Sequence, residues 1–218
     1  MSQWYPIMLK VEGRKCVVIG GGSVAQRKTA GLLEANAIVE VISPRVTPKL
    51  LEWAETGRLR IREREAQESD IEGAILVFAA TDRPEINKWV AEVAEKRAIP
   101  VNVADDGDEG DFLVPAVLRR GKLVLTASAS GAGPALASRI VKELADQYGP
   151  EYKENIEALK AIRAIVKAEV SDLSDRRALL QAAVTDEALE EWRSTDWIQD
   201  KDRLIARLRQ RLHDRRDT

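Results

Sequence analysis

In the stretch KCVVIGGGSVAQRK, Gly20, Gly22 and Ala25 stand at the spacing G-x-G-x-x-A, directly after an apolar run. That spacing has a chemical use. The first glycine permits a tight turn, the second lets a pyrophosphate approach the backbone, and the small third residue lets helix and strand pack closely. A helix starting there presents free N–H groups and the positive end of its dipole to phosphate. A glycine turn of purely structural use is the alternative. The strand–turn–helix context favours a dinucleotide site.

Such sites normally carry an acid at the end of the second strand, for the ribose hydroxyls. Here that place holds Ser43, whose hydroxyl can still hydrogen-bond a ribose. Arg45, two residues on, could meet a 2′-phosphate, so NAD and NADP both stay open at this position. Glu40 lies earlier, inside the strand, and is expected to point away. Thr81 and Asp82 follow a fourth strand, AILVFAA, and are expected beside cofactor or substrate; Asp82 reads equally well as a helix N-cap ahead of Pro84. Asp105 directly follows a fifth strand within VNVADDGDEGD, where a carboxylate aimed at the crevice can accept or deliver a proton. Asp106, Asp108, Glu109 and Asp111 read as solvated surface as readily as ligand groups. The segment does not have the alternating acids and terminal glutamate of a calcium loop. A second turn of small residues, ASASGAGPALASRI, suits an anionic ligand or a tight seam.

Composition narrows the classes. The chain has 218 residues, 44 % hydrophobic and 32 % charged, enough to bury a core and unlike a disordered chain. Its net charge of −2 argues against a dedicated nucleic-acid binder. The single cysteine, Cys16, excludes an internal disulfide and the CxxC zinc classes. The single histidine, His213, stands near the C-terminal end, which disfavours histidine-rich metal sites and a Ser-His-Asp triad. No metal ligand set is predicted. No apolar run is long enough to span a membrane, and the opening MSQWYPIMLKVEGRK does not read as a signal peptide. The expectation is a soluble cytoplasmic protein that binds neither nucleic acid nor membrane.

The elements that position these residues follow from periodicity. Strands are predicted at 15–19, 38–42, 59–63, 74–80 and 99–104, with helices at 24–35, 46–56 and 84–97 between them. Alternation of this kind implies right-handed crossovers and a parallel sheet. The rhythm breaks after residue 111. Two strand-like stretches, 112–118 and 122–128, joined at Arg119-Arg120-Gly121, predict a hairpin, and a helix is predicted from Pro134 to Tyr148. All 13 glycines lie before Pro150. The remainder is charge-rich, with Ile156, Leu159, Ile162, Ile165 and Val166, then Leu204, Ile205, Leu208 and Leu212, at helical spacing. The expected fold class is α/β: a Rossmann-type parallel sheet over 1–111, a segment over 112–149, and a small all-helical domain over 150–218.

Taken in series, four motifs resemble the dehydrogenase/ferrochelatase module of siroheme synthase, whose free-standing members are precorrin-2 dehydrogenases. They are YPIMLKVEGRKCVVIGGGSVAQRK, LVFAATDRPEIN, NVADD and FLVPAVLRRGKLVLTASASGAGPALASRI, covering about residues 5–145. The helical remainder resembles the family's C-terminal domain only loosely. The resemblance implies NAD-dependent oxidation of precorrin-2 to sirohydrochlorin, on the way to siroheme or cobalamin, and leaves iron insertion open. It implies a homodimer interlocked through 112–149. It places the cofactor loop at Gly20, Gly21, Gly22, Ser23 and Val24, and the ribose or adenine neighbourhood at Ser43 and Pro44. It makes Asp105 the acid–base group. Thr81 joins the cofactor set; Asn102, Ser128, Arg119 and Arg120 are expected at the many-carboxylate substrate, with Lys122 and Arg139 as further cations. Gly133 stands where family members often have serine. The rival reading is a regulatory module that binds NAD without turning it over, but such modules normally carry the acid that Ser43 replaces and have no use for the second small-residue turn.

Overall fold

The computed structural model describes residues 4–104, 110–193 and 200–214. The chain divides into two compact units, one of residues 1–114 with 128–133, the other of residues 115–127 with 134–218.

In the first unit, five strands form one parallel sheet: β1 (Lys15–Ile19), β2 (Ile38–Ile42), β3 (Arg60–Arg62), β4 (Leu76–Ala79) and β5 (Val101–Val103). Their order is β3-β2-β1-β4-β5. The order reverses between β1 and β4, and the crevice outside the carboxyl ends of those two strands is where such sheets bind ligands. Helices α1 (Ser23–Glu34), α2 (Pro48–Glu55) and α3 (Pro84–Lys96) make the crossovers. The inner strands are mostly apolar because both faces are covered, whereas the edge strand β3 is Arg-Ile-Arg. Cys16, Val18, Val39, Val41 and Phe78 pack with Leu32 and Leu33 of α1 and Leu50 and Trp53 of α2. Val17, Ile19, Ile42, Val77 and Ala79 face the other way, onto Val90, Val93 and Ala94 of α3. β1 and β2 match the predicted strands, whereas the other three predictions run one or two residues past the hydrogen-bonded strand at each end. Helix α2 starts later than expected because Thr47 is its N-cap, accepting from the Leu50 amide, and Pro48 occupies the first turn.

Burial pushes the Cys16 thiol up to about 11. It is therefore neutral and shielded, and the expected result is no reaction with a thiol reagent in native buffer and one equivalent after denaturation. Rapid native labelling would contradict this placement.

Charge is also buried in this unit. Glu40 does not point to solvent; it pairs with Arg62 and, at 3.6 Å, with Lys15. Lys15 donates to the carbonyls of Asp70 and Glu72 at 2.9 and 2.8 Å. Asp70, in the short 3₁₀ turn Glu68–Ile71, accepts from both terminal nitrogens of Arg64 at 2.6 and 2.8 Å and from the Gln67 amide at 2.8 Å. The hydrogen bonds from Arg64, then the Gln67 amide, hold its carboxyl below the usual carboxylate range against the opposing effect of burial. A depressed carboxyl stabilises the fold above its unfolded pKa, and that contribution is lost as pH falls through the folded value. Asp70→Ala is expected to cost about 2–3 kcal/mol near neutral pH, read by urea unfolding, and to flatten the acid limb of the stability profile. An unchanged acid limb would show that Asp70 is not the group responsible.

The second unit starts with a hairpin, β6 (Ala116–Arg120) and β7 (Leu123–Ala127), paired antiparallel with Arg120 opposite Leu123. The turn is thus Gly121-Lys122, two residues rather than the expected Arg119-Arg120-Gly121. Gly121 has φ +59°, the left-handed conformation that such a tight turn requires. Arg119 and Arg120 lie within β6 instead. Helix α4 (Pro134–Gln147) packs on both strands. Helices α5 (Tyr152–Glu169), α6 (Leu173–Ala182), α7 (Asp186–Trp192) and α8 (Lys201–Asp214) enclose a core of Ile162, Val166, Leu179, Trp192, Leu204 and Leu208. Leu159, Ile165, Ile205 and Leu212 pack around its edge, so the predicted stripes of α5 and α8 face this core. The Trp192 indole donates to the Ala183 carbonyl at 2.9 Å, which satisfies its one polar atom.

Candidate cofactor site

The glycine turn sits at the reversal point of the sheet. Gly20 follows β1 with φ +123°, and its amide donates to the Ile42 carbonyl at 2.9 Å. A Cβ on Gly20 would lie 2.2 Å from the Ala80 carbonyl oxygen, and one on Gly21 would lie 2.0 Å from that of Arg45. Both residues are glycine because backbone occupies the space a side chain needs. Gly22 is different. A Cβ there would meet nothing within 4 Å. The open space over Gly22, at the N-cap of α1, is what a pyrophosphate requires. No side chain caps α1, so its first-turn amides are left to solvent or an anion. Ala25 is fully buried where helix meets strand. The residues present therefore fit a dinucleotide phosphate.

Around this turn, Ser43 is buried and its hydroxyl donates to the Arg45 carbonyl at 2.7 Å. The Thr47 amide donates to the Gly21 carbonyl at 3.0 Å, and the Thr47 hydroxyl to Gln26 at 2.7 Å. The segment after β2, including exposed Pro44, is thereby fastened to the glycine turn. Ser23 is exposed and Val24 half-buried at the head of α1. Across the crevice, Thr81 is held by Asn87. Its amide and hydroxyl donate to the Asn87 side-chain oxygen at 3.1 and 2.8 Å, and the Asn87 amide nitrogen returns a bond to the Thr81 carbonyl at 3.1 Å. Asn87, buried on α3, is a positioning residue that the site assignment from sequence omitted; its signal was the final asparagine of AATDRPEIN. The N-cap of α3 is Arg83, not Asp82.

The other expected site residues are distributed as follows. Asp105, with Asp106, Asp108 and Glu109, lies outside the described residues. The Ala104 amide just before it donates to the Ala79 carbonyl at 2.8 Å, at the carboxyl edge of the sheet. Asn102 is buried in β5; its side-chain nitrogen donates to the Phe112 carbonyl at 2.8 Å, while its side-chain oxygen has no partner among the described residues. Asp111 accepts from the Val101 amide at 2.9 Å, at the opposite end of β5 from Ala104. Ser128 is exposed and accepts from the Ser130 amide at 3.1 Å. Arg119 is exposed on β6. Arg120 donates to the Tyr148 and Ala145 carbonyls at 2.9 and 3.4 Å, tying the hairpin to the end of α4. Lys122 pairs with Glu157 and Arg139 with Glu143, both at 3.3 Å.

The family described as "Putative NAD(P)-binding" matches residues 7–116, the stretch that carries this turn. A precorrin-2 dehydrogenase of Priestia megaterium is 30 % identical over 183 residues, which cover 84 % of this chain and 90 % of that protein. This chain belongs to the precorrin-2 dehydrogenase family. The solved structure of SirC, precorrin-2 dehydrogenase, superposes with a TM-score of 0.74 at 28 % identity, covering 95 % of this chain and all of that one. The siroheme synthase of Nitrosococcus oceani is 34 % identical over 175 residues, but this chain spans only 37 % of its length. Membership in the precorrin-2 dehydrogenase family accounts for the nicotinamide cofactor site and for an oxidoreductase of this architecture. Among the described residues, no helix is long and apolar enough to cross a membrane.

Proposed function

We propose that this protein oxidises precorrin-2 to sirohydrochlorin with NAD as electron acceptor. The observation that carries the reading is the glycine turn at the β1/β4 reversal point, open over Gly22, within a chain that matches a precorrin-2 dehydrogenase over nine-tenths of that protein's length. A bound nicotinamide supplies the hydride acceptor. The chain has to orient that ring and remove one proton from the macrocycle. Gly20, Gly21, Gly22, Ser23 and Val24 hold the pyrophosphate at the head of α1; Ser43 and Pro44 border the ribose; Thr81, fixed by Asn87, walls the crevice. Asp105 is assigned as the base. Asn102, Ser128, Arg119 and Arg120 are assigned to the substrate's polar rim, and two copies of the chain are assigned to a dimer through residues 112–149. The exposed Val117, Leu136 and Ile140 on β6 and α4 support an apolar contact there.

The test is an anaerobic assay of purified protein with precorrin-2 and NAD. NADH formation together with the sirohydrochlorin spectrum is the expected result. Folded protein that binds NAD but forms no NADH with precorrin-2 would overturn the proposal in favour of a binding module.

A further inference from the structure

We propose that this cofactor site also accepts a 2′-phosphorylated dinucleotide, and that the Arg45 guanidinium is the group that recognises the 2′-phosphate. The inference rests on the dinucleotide reading of the glycine turn and extends it to the far end of the cofactor.

An acid at the end of the second strand does two things in such folds. It accepts hydrogen bonds from the ribose hydroxyls, and its charge repels a phosphate at the same place. Ser43 stands there in this chain, so the repulsion is absent. The Ser43 hydroxyl donates its proton to the Arg45 carbonyl at 2.7 Å. What remains is an oxygen lone pair, which can accept from a ribose hydroxyl and carries no charge. The five residues Ser43 to Thr47, SPRVT, contain no acid.

Arg45 is held in place by its backbone. Its carbonyl lies where a Cβ on Gly21 would sit 2.0 Å away, so the main chain at Arg45 touches the second residue of the phosphate turn. Thr47, two residues on, bonds to Gly21 and to Gln26 of α1, and the Ser43 amide donates to the Arg62 carbonyl at 3.1 Å. The segment therefore cannot drift away from the turn without breaking these contacts. The Arg45 side chain is exposed, and among the described residues its guanidinium has no ion-pair or hydrogen-bond partner. Arg62, opposite Ile42 at the end of β3, and Arg64 are already paired with Glu40 and Asp70, and Lys49 with Glu52. Arg45 is thus an uncommitted cation, two residues from the place where the acid is missing. A guanidinium there matches a phosphate with two parallel hydrogen bonds.

The test is calorimetric binding to the full chain of adenosine 5′-monophosphate and adenosine 2′,5′-bisphosphate, which differ only in the 2′-phosphate and involve no turnover. The bisphosphate is expected to bind about tenfold tighter, as one charge-assisted contact allows. That advantage is expected to shrink with added salt. In Arg45→Ala the two nucleotides are expected to bind within about twofold of one another, and Arg45→Lys is expected to keep part of the preference. Equal or weaker binding of the bisphosphate by the wild-type chain overturns the proposal while leaving the dinucleotide site intact. A preference that survives Arg45→Ala also overturns it, because another group is then responsible. If neither nucleotide binds, nor NAD nor NADP, the cofactor reading falls and this inference falls with it.

Discussion

Gly22→Ala is expected to keep the fold and to weaken NAD binding about 100-fold, or about 2–3 kcal/mol. The reason is where the added methyl goes. At Gly22 it meets no atom of the described residues within 4 Å. The backbone there is extended, φ −81° and ψ −170°, so alanine adopts it without strain. Loss of a glycine N-cap costs the protein at most about 1 kcal/mol. The bound pyrophosphate, by contrast, has to occupy the space the methyl fills. Gly21→Ala is the contrasting variant. Its methyl would sit 2.0 Å from the Arg45 carbonyl and 2.9 Å from the Val46 Cα, both backbone atoms that cannot rotate away. It is expected to lose at least about 3 kcal/mol of stability, together with binding. Thermal unfolding and a fluorescence titration with NADH, run on both variants, separate the two roles. Wild-type affinity in a stable Gly22→Ala protein would make the glycine turn structural only.

The second large effect belongs to Asp105. Asp105→Asn removes the carboxylate and keeps its shape. If this residue takes the proton from precorrin-2, turnover is expected to fall by about 100- to 10,000-fold, the usual range for loss of a positioned acid or base. Dinucleotide affinity is expected to stay near wild type, because the proposed role of Asp105 is proton transfer and not cofactor binding. Single-turnover NADH formation measures the first quantity, and equilibrium titration the second. Retained turnover would move the base elsewhere. A parallel loss of NAD binding would make the aspartate part of the cofactor site instead. Ala104, the last described residue before Asp105, is hydrogen-bonded to Ala79 at the carboxyl edge of the sheet, where such sheets bind ligands.

Much of this was legible in the sequence, for local reasons. Continuous apolar runs such as VVI and LVFAA announce strands covered on both faces, and G-x-G-x-x-A after the first of them announces a helix N-terminus open to phosphate. The stripes of α5 and α8 are read from spacing alone because a helix repeats every 3.6 residues. These features depend on neighbours along the chain, which is why composition and pattern reach them.

Other features needed the tertiary structure, because the groups that meet are far apart in sequence. Glu40 reads as an acid inside a strand that points away from the ribose site; only the pairing of β2 with β1 and β3 brings Lys15 and Arg62 to it and makes its burial tolerable. Arg120 is expected at the substrate from the sequence; only the hairpin folded against α4 gives it the Tyr148 and Ala145 carbonyls to bond. The turn falls at Gly121-Lys122 rather than Arg119-Arg120-Gly121 because strand register is set by cross-strand pairing, which no single strand carries. The three glycines of the turn look alike in sequence. The fold alone distinguishes Gly20 and Gly21, pressed against the backbone of Ala80 and Arg45, from Gly22, beside which the described residues leave open space.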